Sequence, residues 1–332
     1  MYIRDRLNNE LFSMKVKLFR YVVLSVISFL VFSRAQGQQD PNFSLFSING
    51  IQFNPAFAGE VDGIRFVALN RNQWSGIKQA PISSTFSVNT PVNYNRIGLG
   101  VNVSHQSFRG DDQFAGHAIG SYKIRIARGI LSFGLQLGVN KYTANFDGLA
   151  IQDLTDPVLN NPEYWTPNIG AGLLFTRTKY YLGLSVAHLA AINNSENSES
   201  GSVPHYYFTG GYKVAISSTL QLVMSNWTRW TTYTNLSTDF NLTLNLIDKA
   251  WIGVSGRNVE EVAFLAGLNL LGLVPSLNSD LRLAYAFSKG FGVSGNINGN
   301  THEIGLTYII KPRPKISALN SHQKILSPLF VR

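Results

Sequence analysis

After about residue 63 the chain alternates between apolar side chains and Gly, Asn, Ser or Thr, one for one, in runs of about ten residues. Ile97-Gly-Leu-Gly-Val-Asn-Val-Ser104 shows the pattern, and Leu131-Ser-Phe-Gly-Leu-Gln-Leu-Gly-Val-Asn140 repeats it. So do Phe240-Asn-Leu-Thr-Leu-Asn-Leu246, Leu281-Arg-Leu-Ala-Tyr-Ala-Phe-Ser288 and Ile304-Gly-Leu-Thr-Tyr308. A period of two is the period of a strand, so each run has one oily face and one small, polar face. Fourteen such segments centre near 64–73, 82–92, 95–106, 113–126, 130–143, 166–176, 179–188, 204–215, 218–227, 232–246, 250–257, 260–270, 279–288 and 301–310.

Their length is what a tilted strand needs to cross a bilayer. The even-numbered connections are mostly short, as in Val92-Asn-Tyr-Asn95, Arg177-Thr178 and Ile247-Asp-Lys-Ala250. Several odd-numbered ones are long: Asp147 to Tyr164, Leu189 to Val203, and Lys289 to Asn300. Short turns at one end and long loops at the other describe a bacterial outer-membrane barrel. Unpaired backbone groups cost several kcal/mol each in hydrocarbon, so such strands must close on themselves. The expected fold is therefore all-β, a transmembrane antiparallel β-barrel of about 14 strands. Tyr94, Tyr122, Tyr142, Trp165, Tyr180, Tyr181, Tyr206, Tyr207, Trp251 and Tyr308 fall near strand ends, where aromatic girdles sit. A secreted β-sandwich with the same alternation would carry charges on its outer faces, and here charged residues are only 14% of the chain.

The net charge of +9 does not mark a nucleic-acid binder. Residues 1–37 hold +4 and residues 311–332 hold +5, which leaves the body neutral, whereas nucleic acid requires a basic face on the folded part. Residues 1–37 read as a signal peptide: Lys15, Lys17 and Arg20 precede an apolar stretch from Tyr21 to Phe32, and Ala35-Gln36-Gly37 supplies small residues for cleavage. Met14 is an alternative start. Both termini are expected on the periplasmic side, with residues 311–332 a basic tail containing Pro312, Pro314 and Pro328. Residues 63–310 would form the barrel. Between signal and barrel, residues 38–62 are apolar without strand or helix period, an irregular segment that could tuck into the lumen as a plug or pack along the rim, with Asn54-Pro55 and Gly59 setting turns.

Catalytic and metal chemistry find no footing in the sequence. Cysteine is absent. The six histidines are scattered without two-ligand spacing, and no nucleophile elbow occurs. The acids of the loop Asp147 to Glu163 match no calcium-loop spacing. Gly98-Leu-Gly100 and Gly170-Ala-Gly172 sit inside strands, which points to close packing or strand bending rather than phosphate binding. The reading is of a chain without catalytic, cofactor or metal residues. Asn226-Trp-Thr-Arg-Trp-Thr-Thr-Tyr233 reads as an aromatic run in an outside loop, so Trp227, Arg229, Trp230 and Tyr233 are candidates for a partner surface, alongside a girdle that continues into the loop.

Gln38-Gln-Asp-Pro-Asn-Phe-Ser44 followed by Phe53-Asn-Pro-Ala-Phe-Ala-Gly59 resembles the start of the PorP/SprF family of Bacteroidota outer-membrane proteins. Arg71-Asn-Gln-Trp74 is similar to that family's R-x-QW element, and Ser87-Val-Asn-Thr-Pro91 and His302-Glu-Ile-Gly-Leu306 are similar to later ones. The resemblance covers about residues 38–310 and singles out Asn54, Pro55, Phe57, Gly59, Arg71 and Trp74 as partner-interface or plug residues. It implies a non-enzymatic component of the type IX secretion system, supporting export or surface attachment of a specific adhesin, gliding adhesins included. The partners it implies are the periplasmic ring and translocon, the adhesin's C-terminal region and outer-membrane lipid. Fourteen strands also suit a FadL-like channel for small or hydrophobic solutes, the alternative reading.

Overall fold

The computed structural model describes residues 42–127, 129–144, 163–189, 203–231, 236–246, 249–258, 260–270, 279–291 and 299–311. Within them the alternating segments become fourteen strands: β1 (Ile64–Ser75), β2 (Ile82–Val92), β3 (Ile97–Phe108), β4 (Asp111–Ile126), β5 (Gly129–Ala144), β6 (Glu163–Thr176) and β7 (Tyr180–Ala187). They continue as β8 (His205–Ala215), β9 (Leu220–Thr231), β10 (Ser237–Leu246), β11 (Ala250–Arg257), β12 (Glu261–Asn269), β13 (Ser279–Gly290) and β14 (Asn300–Ile310). Each pairs antiparallel with its sequence neighbours, and β1 closes on β14 from Ile64 opposite Ile310 to Asn72 opposite His302. The fold read from the sequence is the fold observed, a closed 14-strand barrel without an edge.

The polar set of each strand points inward. In β14, Thr301, Glu303, Thr307 and Ile309 are buried, while Ile304, Leu306 and Tyr308 are exposed. In β5, Ser132 and Gln136 are buried, while Phe133, Leu135, Leu137 and Val139 are exposed. A water-soluble sheet would do the reverse, so this exterior is built for hydrocarbon.

The near end, where β1 begins, carries the tight turns. One is Asn93-Tyr94-Asn95, with φ of +49°, +54° and +65°, closed by Arg96 N donating to Asn93 O at 3.1 Å. At the far end not every connection is long: β3 reaches β4 through Arg109-Gly110 alone. The long loops expected from Asp147, Leu189 and Lys289 lie mostly outside the described residues.

Two expectations need correction. The aromatic run is not a loop: β9 extends to Thr231, so Trp227 and Arg229 are strand residues, both buried and facing inward. The alternation persists through the run, but polar Thr228 and charged Arg229 hide it from an apolar count. The second concerns Tyr181 and Tyr207, expected in an aromatic girdle, which turn inward and are buried. Residues 42–61 take the lumen, one of the two placements the sequence left open: Ser44 sits on Glu303 in the far half, and the chain descends the lumen to reach β1. Three short 3-10 turns, Phe46–Ile48, Gly50–Gln52 and Pro55–Phe57, satisfy part of its backbone on the way. Its buried Phe43, Leu45, Phe46, Ile48 and Phe53 join inward residues such as Val67, Leu69, Ala263, Leu265, Ala284 and Ala286 in one apolar cluster. The hydrophobic core of this molecule thus lies inside the barrel. The expected signal peptide at residues 1–37, residues 38–41 and the expected tail beyond Lys311 lie outside the described residues.

Candidate functional site

The lumen holds the inner segment at three levels, each by a different kind of contact. At the far level the group that matters is the Glu303 carboxylate, which accepts the backbone N–H of Ser44 at 2.8 Å and of Leu45 at 3.0 Å. A carboxylate reading two successive amides makes charge-assisted hydrogen bonds, stronger than neutral ones. Asn241 Nδ2 donates to the Ser44 carbonyl at 2.8 Å, and Arg71 reaches the Ser44 hydroxyl at 3.5 Å.

Glu303 is held by a relay of charge across the wall. Arg71 pairs with Glu303 and donates to both oxygens of Glu261 at 3.0 Å. Glu261 accepts from Arg257 at 2.7 Å, and Arg257 donates to Asp239 at 2.6 Å. Arg71 and Glu303 have side chains only 2% and 1% exposed, so each depends on the other for the solvation it lost.

At the middle level the contacts are aromatic. Phe53 lies 4.1 Å from Trp227 and 6.1 Å from Tyr207, ring centre to ring centre, and Phe46 lies 5.8 Å from Trp227. Tyr207 stacks on Trp227 at 5.9 Å, and the Arg229 guanidinium sits 4.9 Å from the Trp227 ring centre, its other arm donating to Ser237 at 3.1 Å. A cavity of about 50 Å³ remains beside these rings, room for a water or two.

At the near level the contact is steric. Asn54 Oδ1 accepts from Ala56 N at 2.9 Å and caps the turn that Pro55 opens, a position where proline loses no hydrogen bond. Its Nδ2 donates to the carbonyls of Leu173 at 3.0 Å and Leu184 at 3.3 Å, on β6 and β7. The turn comes that close because the wall lacks side chains. A Cβ on Gly134 would lie 2.1 Å from Ala56 N, one on Gly172 2.1 Å from Asn54 Oδ1, and one on Gly98 2.0 Å from the Ala58 oxygen. Gly59 then turns the chain with φ of +69°. Lys123 donates to the Gly59 carbonyl at 2.5 Å and pairs with Glu60 at 3.1 Å. Burial pushes the Glu60 carboxyl up, and Lys123 opposes that shift.

Of the residues singled out in the sequence, the structure brings most to this inner segment. Asn54, Pro55 and Gly59 form the near level, with Phe57 packed on Tyr181 at 5.7 Å. Arg71 belongs to the far level, and Trp227 and Arg229 to the middle. Two lie elsewhere. Trp74 is the last residue but one of β1, with φ of +53° and its backbone N–H on Thr301 Oγ1 at 3.4 Å, and Trp230 is stacked on Tyr206 at 5.6 Å. Tyr233 lies outside the described residues. Sequence reasoning missed Glu303, Glu261, Arg257, Asp239, Asn241, Lys123 and Glu60. The available signal was phase: most are charged residues on the inward count of strands that otherwise carry almost none.

No group of three metal-ligating side chains occurs among the described residues. The polar cluster on β4 to β8 is a hydrogen-bonded wall: Asn168 meets His117 at 2.8 Å and Asn140 at 3.2 Å, and Asn140 meets His188 at 3.2 Å. Of the acidic loop, only Glu163 is described, paired with Lys141 at 2.9 Å.

Comparison with known proteins places residues 35–308 under a family model described as type IX secretion system membrane protein PorP/SprF. No curated protein matches the chain. Among solved structures it is similar to the outer membrane protein Omp33 of Acinetobacter baumannii, at 7% identity and a TM-score of 0.43 over 76% of this chain and 100% of that one. A Pseudomonas aeruginosa FadL homologue matches at 12% identity and a TM-score of 0.43, over 82% of this chain and 94% of that one. Outer membrane phospholipase A from Escherichia coli matches at 11% identity and a TM-score of 0.35, over 82% and 99%. These likenesses concern the barrel alone.

Proposed function

Because the chain belongs to the PorP/SprF family of type IX secretion system membrane proteins, we propose that it is a non-catalytic outer-membrane barrel supporting export or surface attachment of one secreted adhesin. Gliding adhesins are among the cargoes this reading covers. The near end, with its tight turns, would face the periplasm and the secretion ring, and the far end would meet the adhesin's C-terminal region.

The observation that carries the reading is the lumen filled by residues 42–61, fixed by buried hydrogen bonds at both ends. A FadL-like channel needs a path for solute, and among the described residues the cavity beside Phe53, Tyr207 and Trp227 is only about 50 Å³. What the interior offers instead is a set of contacts to polypeptide. Deleting the chain is expected to abolish surface display of one adhesin while leaving outer-membrane permeability unchanged. Display unaltered in the deletion strain sinks the proposal. Steady, solute-sensitive conductance from the reconstituted barrel would move the reading to a channel.

A further inference from the structure

The far and middle levels of the lumen hold the segment chiefly through its main chain and its apolar side chains. Among the described residues, side-chain hydrogen bonds reach it only at Ser44, to Arg71 and Ser288 at 3.5 Å, and at Asn49, from Ser87 at 2.8 Å. Glu303 binds two backbone N–H groups, and Asn241 binds one backbone C=O. Every peptide carries those groups. The slot formed by Trp227 and Tyr207 takes a phenyl ring, and the Ser185 hydroxyl donates to another backbone carbonyl, that of Phe53, at 2.7 Å. The two arginines offset two of the three acids in the cluster around Glu303, and the remaining negative charge is turned on the two backbone N–H groups rather than on a side chain of the segment. The near level differs: its backbone-to-backbone fit on Gly98 and Gly134 and the cap of Asn54 are specific to this segment.

From this we infer that the far half of the lumen is a peptide-binding site for an uncharged segment of a partner protein carrying a phenylalanine-type side chain, and that residues 43–53 occupy it when the partner is away. The segment is hinged, not released: the turn at Asn54 stays on its glycine wall while the part above it yields to the incoming chain. The bound peptide presents two successive amides to Glu303, a carbonyl to Asn241 and a ring to Trp227. The inference deepens the reading of the barrel as a partner-binding protein and rests on it.

The chain contains no cysteine, which makes a clean test available. Ser44 Oγ and Ser288 Oγ are 3.5 Å apart, so Ser44→Cys with Ser288→Cys can lock the segment in place by oxidation and free it by reduction. The probe is a fluorescent peptide copying residues 42–53, added to the full-length variant in detergent. The reduced protein is expected to bind it and the oxidised form of the same sample to bind at least tenfold less. A peptide N-methylated at the positions of Ser44 and Leu45, which cannot donate to Glu303, is expected to bind at least tenfold more weakly to the reduced form. No binding by the reduced protein, equal binding by both forms, or indifference to N-methylation each overturn the inference. Failure here with adhesin display still lost on deletion would leave the secretion reading standing; a failure of display would not touch the peptide measurement.

Discussion

The two ends of the inner segment are held by opposite means. At the far end five charged side chains from β1, β10, β11, β12 and β14 converge, and the segment is gripped through its main chain. At the near end the wall from β3 to β6 is stripped of side chains where Gly98, Gly134 and Gly172 face the turn, which fits by shape, and a single buried pair, Lys123 with Glu60, follows it. Charge grips whatever offers amides, whereas a cleared wall admits only a backbone that follows its contour. One barrel therefore combines an exchangeable contact with a fixed one.

The sharpest attack on this contrast is Arg71→Ala. It leaves Glu303 and Glu261 buried without their shared cation and should cost about 3–5 kcal/mol, read as a lowered urea midpoint in lipid vesicles. Proteolysis of the folded variant should then cut within residues 43–53 and spare residues 54–60. Gly134→Ala attacks the other end, where the added methyl meets Ala56 backbone, with an expected loss of about 1–3 kcal/mol. Here the cuts should fall at residues 54–60. If either variant exposes both stretches, the two ends act as one unit and the contrast is wrong.

Smaller changes sharpen it. Asn54→Ala removes the turn's cap and the bonds to Leu173 and Leu184, and about 1–2 kcal/mol should disappear, again at the near end. Lys141→Ala serves as the outer control: its pair with Glu163 is partly exposed, at 32% and 46%, so the midpoint should move by less than about 1 kcal/mol and no new cut should appear.

How much of this was legible beforehand differs between wall and contents. Strand alternation is a local property, so β5 or β14 can be read from ten residues alone. The cap at Asn54-Pro55 is local too. The far level is not, because Ser44 and Glu303 are 259 residues apart and nothing in either neighbourhood names the other. Trp227 shows a third case. Its residue type was noticed, but Thr and Arg beside it obscured the strand, and an inward stacking partner was read as an outward surface. For Gly98 and Gly172 the sequence left close packing and strand bending open, and close packing is what the structure shows, against a body far off in sequence.

The position of Glu303 on β14 has a consequence for biogenesis. The glycine wall of β3 to β6 lies away from the seam between β1 and β14 and can receive the Asn54 turn while the sheet is still open. The carboxylate that receives Ser44 belongs to β14, the strand that seals the seam with β1. An unfinished sheet can therefore carry the segment by its foot but cannot fasten its head. Fastening reports that the cylinder is complete, so a chain truncated before β14 should be recognisable to quality control by a loose amino-terminal arm.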